Sequence, residues 1–335
     1  MRILLTGGLG FIGSHVAVTL GQSPENDIII IDNLMNSTMD VLHHIKSLVK
    51  FPENVHFMEG DVLQESDLEK VFTTYPNIDS VIHFASLKAV GESVEKPLLY
   101  YRSNLTGILN VLTTMKQFNC NQFVFSSSAT VYGNDAPSPL FETDRVGTSI
   151  TNPYGQTKYF QEQILMDYSK TEPEMDITIL RYFNPVGAHS SGLIGENPTG
   201  IPNNLFPYIL RVASGQYKDI RVFGDDYDTI DGTGVRDFIH VADLAEGHVA
   251  ALNHMTNGIS VYNLGSGKGS SVMELIKTFE RVNDVKIPFV IAERREGDVA
   301  TTFADSAKAF DVLGWKTTRT MEDICRDGYN FITKN

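Results

Sequence analysis

Tyr154 and Lys158 stand four residues apart in the run Asn152-Pro153-Tyr154-Gly155-Gln156-Thr157-Lys158. On a helix that spacing puts both side chains on one face. An ammonium beside a phenol favours the phenolate and lowers its pKa, which would make Tyr154 a usable general base near neutral pH. Ser126-Ser127-Ser128-Ala129 follows the apolar run Phe123-Val124-Phe125. A hydroxyl at the carboxyl end of a parallel strand faces the crevice where ligands bind in such sheets, and it can hold a substrate hydroxyl. Ser126 and Ser127 are read as strand-end caps. For Ser128 these residues alone leave both roles open. Tyr-x-x-x-Lys is common by chance, so its chemistry depends on the company it keeps.

That company is a nucleotide signature. Thr6-Gly7-Gly8-Leu9-Gly10-Phe11-Ile12-Gly13 follows a short apolar strand and opens a helical stretch. Glycines there allow a tight turn and close approach of backbone to a pyrophosphate, and the helix N-terminus offers N–H groups and a positive dipole end. Asp32 ends the second apolar run, about 20 residues beyond the last glycine, where a carboxylate accepts from both ribose hydroxyls and repels a 2′-phosphate. NAD is therefore expected over NADP. Asp61 is either an adenine contact or a turn residue.

The elements that must carry these groups alternate. Ile3-Leu4-Leu5, Ile28 to Ile31, Val55-His56-Phe57, Val81-Ile82-His83-Phe84, Phe123 to Phe125 and Ile177 to Leu180 read as buried strands. Helical patterns lie between them at Ile12 to Leu20, Leu42 to Val49, Asp67 to Thr73, Leu98 to Phe118 and Tyr154 to Ser169. The alternation predicts an α/β fold of Rossmann type, a doubly wound parallel sheet with helices on both faces. After Arg181 the texture changes. Asn184 to Asn204 and Gly224 to Gly234 read as ordered loops, and helical patterns return at Leu205 to Ala213, Val241 to Met255, Val272 to Val282 and Met321 to Thr333. The expected division is a nucleotide-binding domain at 1–183 and a smaller α/β substrate-binding lobe at 184–335. Segments near 235–265 are candidates to pack back on the first domain.

The 335 residues include 27 basic and 41 acidic ones, a formal charge of −14. That disfavours nucleic acid or an anionic membrane as the main partner. Cys120 and Cys325 offer neither a disulfide framework nor metal-ligand spacing, so no metal is expected and a reducing cytoplasm fits. Met1-Arg2 leads into a strand and glycines rather than a signal peptide, and no apolar run has membrane-spanning length.

Longer blocks go further. Ile82 to Ser93, Ser126 to Gly133, Arg181 to Ala188, Ile201 to Leu205, Gly232 to Asp237 and Arg294 to Asp298 resemble the extended short-chain dehydrogenase/reductase superfamily, and within it the UDP-glucose (UDP-galactose) 4-epimerases. The resemblance runs over essentially the whole chain. It implies C4 epimerisation of UDP-hexoses through a transient 4-keto sugar nucleotide, with NAD as a resident cofactor, in galactose metabolism. It also implies roles. Tyr154 would be the acid/base, Lys158 would bond the nicotinamide ribose and depress the tyrosine pKa, and Ser128 would hold the sugar hydroxyl. The NAD site would comprise Gly7, Gly10, Phe11, Ile12, Gly13, Asp32, Asn33, Asn36, Asp61, Val62, Phe84, Lys88, Asn104, Tyr154, Lys158 and Tyr182. The UDP-sugar would meet Lys88, Ser128, Tyr154, Asn184, Asn204, Leu205, Phe223, Arg236, Arg295, Asp298 and Thr302. The arginines would grip the diphosphate, the better use of a planar guanidinium than a surface ion pair.

Three positions depart from the commonest bacterial pattern: Phe238 for a tyrosine, Arg221 for a small apolar residue, and Thr302. In this family the residue four after the Arg-Glu-Gly-Asp aspartate borders the sugar pocket. A tyrosine there restricts the enzyme to UDP-glucose and UDP-galactose. Thr302 is far smaller, so UDP-GlcNAc and UDP-GalNAc are expected substrates too. Nucleotide-sugar 4,6-dehydratases and decarboxylases share the fold but carry an acidic residue beside the strand-end hydroxyl, where this chain has Ala129-Thr130. A non-catalytic NAD-binding sensor would not be expected to retain Tyr154, Lys158 and Ser128 together. Relatives form homodimers by pairing two long helices. Leu105, Leu109, Leu112, Ile164 and Leu165 suit that pairing or the monomer core equally.

Overall fold

The protein's structure is a computed structural model and describes all residues except Thr199, Ile201, Asn203, Glu296 and Asn335. Ile201, Asn203 and Glu296, members of the sequence blocks named above, therefore lie outside the described residues. In chain order the first elements are β1 (Arg2–Thr6), α1 (Phe11–Leu20), β2 (Asp27–Asp32), α2 (Met39–Leu48), β3 (Val55–Glu59), α3 (Glu65–Thr74), β4 (Ser80–His83), α4 (Val90–Glu95), α5 (Pro97–Gln117), β5 (Gln122–Ser128), α6 (Pro153–Thr171) and β6 (Asp176–Tyr182). There follow β7 (Asn184–Val186), α7 (Leu205–Ala213), β8 (Ile220–Phe223), β9 (Val235–Arg236), β10 (Phe238–His240), α8 (Val241–Asn253) and β11 (Gly258–Leu264). The chain ends with β12 (Ser270–Ser271), α9 (Val272–Asn283), β13 (Phe289–Ala292), β14 (Thr301–Thr302), α10 (Ala307–Leu313) and α11 (Met321–Lys334).

Seven strands form one sheet in the order β11-β6-β5-β4-β1-β2-β3. The registers β3–β2, β2–β1, β1–β4 and β4–β5 are all parallel. The order reverses at β1, the switch point outside whose strand ends ligands bind in doubly wound sheets. The central strands are apolar on both faces: Ile3, Leu4, Leu5, Ile28, Ile29 and Ile30 are fully buried. Such runs suit strands covered by helices on both sides, and the expected Rossmann-type α/β fold is observed.

The residues cluster into two units. One comprises Met1–Val131, Asn152–Arg181 and Ala245–Tyr262; the other comprises Tyr132–Thr151, Tyr182–Leu244 and Asn263–Asn335. Residues 132–151 thus group with the later part of the chain, and 245–262 with the earlier part. The second unit has its own core, in which Phe206, Ile209, Leu210, Leu275, Ile276, Phe279 and Ile324 pack together. Its strands are short: β10 pairs with β7, β8 with β13, and β9 lies between β12 and β14.

Candidate active site

In the first unit, the glycine turn joins β1 to α1. Gly7 has φ +67°, and a Cβ there would lie 2.8 Å from the Ala85 nitrogen. At Gly13 a Cβ would lie 2.7 Å from the Gly7 oxygen, so the helix start can lie against the turn only without a side chain. Gly10 caps α1 and has no side chain to accept from the first-turn N–H groups of the helix. Asp32, at the end of β2, is buried. Its Oδ2 accepts from the Leu9 amide at 3.0 Å, and its Oδ1 from the Leu34 amide at 3.0 Å and Ser37 Oγ at 2.8 Å. An ionised carboxylate has about four acceptor positions, so three internal bonds still leave one for a ribose hydroxyl. The glycine cradle, the open helix start and this carboxylate fit a dinucleotide.

The other residues expected around NAD take up distinct posts. Asn33 and Asn36 are exposed after β2, and Asn33 Nδ2 donates to Asp61 Oδ2 at 3.2 Å. Asp61 Oδ1 accepts from the Leu63 amide at 2.9 Å, the turn-residue reading, while Oδ2 is shared with Asn33. Val62 is buried in the core. Phe84, one residue past β4, lies 5.2 Å from the His248 ring, and the Lys88 ammonium lies 5.6 Å from the Phe11 ring. Asn104 is buried, accepts from the Leu87 amide at 2.9 Å, and donates to Leu87 O at 3.1 Å and Thr157 Oγ1 at 2.9 Å. Its side chain therefore shapes the loop that carries Lys88 and ties it to α6.

Tyr154 and Lys158 do occupy one face of α6, whose start is capped by Asn152 Oδ1 accepting from the Gly155 amide at 2.8 Å, with Pro153 in the first turn. Ser128 ends β5 and its hydroxyl hydrogen-bonds the Tyr154 phenol. The Lys158 ammonium donates to Ser126 O at 2.8 Å and lies 5.9 Å from the Tyr154 ring centre and 5.0 Å from that of Phe125. The structure thus brings the three residues together.

It corrects their expected electrostatics. In the protein itself, burial pushes the Tyr154 phenol up to about 12, opposed by the bond to Ser128. Burial also pulls Lys158 down to about 7, opposed by the Glu162 carboxylate. Proximity of a lysine does not lower this phenol, because the lysine bonds a main-chain carbonyl and desolvation penalises both charges. The caps expected of Ser126 and Ser127 are also different. Both lie inside β5, with Ser126 Oγ donating to His83 O at 2.6 Å and Ser127 Oγ to Glu162 Oε1 at 2.5 Å.

Lys158 carries a consequence for stability. Its folded value of about 7 lies below the ordinary 10.5. Between those values the unfolded chain holds more protons, so stability should rise with pH. Lys158→Met removes this linkage. In urea unfolding of nucleotide-free protein, the stability of Lys158→Met relative to wild type is expected to fall steadily from pH 7 to pH 10. A difference flat with pH contradicts the buried lysine.

The second unit holds the residues expected for UDP. Asn184 begins β7 and its amide donates to Asp237 O at 3.0 Å; Tyr182, two residues before it, is buried. Asn204 is the N-cap of α7 without a side-chain cap bond, Leu205 is the first residue of that helix, and Asn204 Nδ2 is 3.5 Å from Glu196 Oε1. Arg295 stacks over the Phe223 ring at 3.9 Å. Arg236 donates to Val235 O and Val299 O at 2.9 Å each and lies 3.8 Å from Asp298. Thr302, in β14, pairs in register with Arg236 of β9. Arg236, Asp298 and Thr302 are thus assembled on adjoining backbone. Phe238 is buried in the core, so the missing hydroxyl is replaced by apolar packing. Arg221 is exposed.

Two groups escaped the sequence reading. Tyr227 is buried in the loop before β9 with no partner for its hydroxyl among the described residues, and the Arg294 guanidinium lies 4.1 Å above its ring. Asp237 is fully buried and accepts from Ser266 N and Oγ, Gly267 N and Ala304 N, knitting three segments of the unit. Only the partners, distant in sequence, reveal either one.

The model of the NAD dependent epimerase/dehydratase family matches residues 3–265. The chain belongs to the NAD dependent epimerase/dehydratase family. Members named UDP-glucose 4-epimerase include one from Erwinia amylovora, 50% identical over 100% of this chain and 98% of the relative. A crystal structure of UDP-glucose 4-epimerase from Bifidobacterium longum in complex with NAD+ and UDP has a TM-score of 0.95 at 49% identity, covering 100% of this chain and 99% of the other. The UDP-Glc/GlcNAc 4-epimerase from Campylobacter jejuni has a TM-score of 0.86 at 32% identity, covering 100% and 99%. As an epimerase/dehydratase family member, the chain has no carboxylate directly after Ser128: Ala129-Thr130 opens a 3-10 turn ending at Tyr132. Among the described residues no group of three His, Cys, Asp or Glu side chains could hold a metal, and no helix is long and apolar enough to cross a membrane.

Proposed function

We propose that this protein is an NAD-dependent UDP-hexose 4-epimerase that interconverts UDP-glucose and UDP-galactose, and UDP-GlcNAc and UDP-GalNAc as well. The observation that carries the reading is Tyr154 hydrogen-bonded to Ser128 and backed by Lys158, beside a glycine cradle built for a dinucleotide. Gly7, Gly10, Phe11, Ile12 and Gly13 hold the pyrophosphate of NAD. Asp32 takes its adenosine ribose, with Asn33, Asn36, Asp61 and Val62 around the adenosine. Phe84, Lys88, Asn104, Tyr182 and Lys158 serve the nicotinamide half. When bound, NAD supplies the acceptor for the C4 hydride and, once reduced, its donor.

The chain's own work is proton handling and restraint. Ser128 holds the sugar 4-hydroxyl, and Tyr154 takes its proton and later returns it. Tyr–OH with neutral lysine and phenolate with ammonium carry the same net charge, so the proton can be placed within the pair without adding charge to a dry site. Asn184, Asn204, Leu205, Phe223, Arg236, Arg295 and Asp298 grip the uridine diphosphate, while Lys88 and Thr302 leave the hexose free to present its other face. A dehydratase would need a further proton-transfer group, and Ala129 and Thr130 supply no carboxylate. The N-acetyl part of the reading rests on the small side chain of Thr302, where a tyrosine would fill the space a 2-acetamido group needs. Incubating NAD-loaded protein with UDP-galactose and UDP-GalNAc separately, without added NADH, tests the reading. Conversion of both is expected; conversion of UDP-galactose alone removes the N-acetyl substrates, and conversion of neither removes the epimerase.

The enzyme is further proposed to be a homodimer working in the cytoplasm. Leu98, Leu99 and Leu109 on α5 and Phe160 on α6 are 82%, 46%, 48% and 40% exposed, an apolar face that a second copy would cover. Of the residues that suit either the pairing or the monomer core, Leu112 and Leu165 are buried within the unit's own core. A monomer mass in sedimentation equilibrium would refute the dimer.

A further inference from the structure

We propose that Glu162 is a positioning residue of the catalytic pair: clamped by Arg181 and Ser127, it locks β5 to α6 in one register and keeps a carboxylate one helical turn beyond Lys158. The proposal rests on the epimerase reading for the chemistry it serves.

The Glu162 and Arg181 side chains are 1% and 3% exposed. Arg181 Nε donates to Glu162 Oε1 at 3.0 Å and its Nη2 to Oε2 at 2.8 Å, a two-pronged grip. Ser127 Oγ adds a third bond to Oε1 at 2.5 Å. A buried carboxylate is prohibitively costly without such partners, and with them it has little freedom to move. What gives the clamp a functional meaning is where its parts come from. Ser127 is the chain neighbour of Ser128, so the bond that fixes Ser127 fixes the strand end bearing the substrate-facing hydroxyl. Glu162 follows Tyr154 and Lys158 at successive four-residue steps, so the same bond sets the height of α6 against that strand end. Arg181 belongs to β6, the neighbour of β5 in the sheet. Lys158 meanwhile donates to Ser126 O at 2.8 Å, the residue before Ser127. Strand-end hydroxyl, phenol and ammonium are thus referred to one anchor. The anchor also has an electrical effect, since the Glu162 charge opposes the burial that pulls the Lys158 proton off.

The test uses the NAD-loaded enzyme and three variants: Glu162→Gln, Ser127→Ala, and the double variant Glu162→Gln/Arg181→Met, which leaves no unpaired buried guanidinium should the single change prevent folding. Loss of the carboxylate should lower kcat for UDP-galactose about 10-fold with KM little changed, since small misplacements near the chemistry are costly. It should also move both limbs of the pH–kcat profile to lower pH by about one unit, because removing a negative charge eases every nearby deprotonation. Ser127→Ala should lower kcat and leave the limbs in place. The Tyr154 phenolate band, followed by ultraviolet titration of the NAD complex against a Tyr154→Phe control, should appear at lower pH when Glu162 is replaced. That reading does not depend on turnover, so an enzyme inert on UDP-galactose would refute the epimerase reading while this titration still decides the role of Glu162. A folded Glu162→Gln variant with wild-type kcat, pH limbs and phenolate titration, or a folded double variant (which removes both charges and is read by kcat alone) with wild-type kcat, would overturn the proposal.

Discussion

Tyr154→Phe is expected to lower turnover of UDP-galactose by at least roughly 10²–10⁴-fold, the range a positioned acid–base contributes. The substitution keeps the ring and removes only the hydroxyl that Ser128 bonds, and Ser128 Oγ still accepts from the Thr130 amide at 3.3 Å. KM should change little, because in the proposed binding mode the uridine diphosphate rather than the 4-hydroxyl would supply most of the binding energy. Steady-state kinetics at saturating NAD decide it. Turnover within a few-fold of wild type would remove Tyr154 from the chemistry.

The second large effect concerns which sugars are accepted. Thr302→Tyr is expected to cut UDP-GalNAc turnover at least roughly 10²-fold, near the upper end of what a pocket achieves by size for a single group, and to spare UDP-galactose. Thr302 pairs with Arg236, so a larger side chain there grows from the strand next to the one carrying a proposed diphosphate ligand. Thr302 is partly buried, so the added ring must be accommodated at least in part within the fold. Loss of both activities would mean that the tyrosine disturbs Arg236 instead. Loss of neither would mean that another residue bounds the pocket.

The sheet and the cradle were legible because each rests on local rules. β1 to β6 each carry a short, mostly apolar stretch, and Gly7 and Gly13 stand where any Cβ would strike backbone. Much of the second unit was not legible, for a physical reason. β9, β12 and β14 are two residues long, too short to carry a period, and they exist because distant segments pair. β11, in Gly258-Ile259-Ser260-Val261-Tyr262-Asn263-Leu264, lies at one edge of the large sheet, mixes polar and apolar residues, and buries only its last three, so it has no apolar run of strand length. At the site, spacing placed Tyr154 and Lys158 on one face but gave the wrong sign for the phenol. The sequence shows that a lysine is near; only the packing shows that both groups are dry and that the ammonium turns to Ser126 O. Glu162 was invisible for the same reason, since its partners Ser127 and Arg181 come from two different strands.

The central claim is that the enzyme moves a hydride off C4 and puts it back on the other face of the same sugar. The most direct measurement supplies UDP-galactose deuterated at C4 to the NAD-loaded enzyme in ordinary water and follows the label in the product by NMR. The account predicts UDP-glucose that keeps its deuterium at C4. UDP-glucose with solvent hydrogen at C4, or a 4-keto-6-deoxy product, would contradict it.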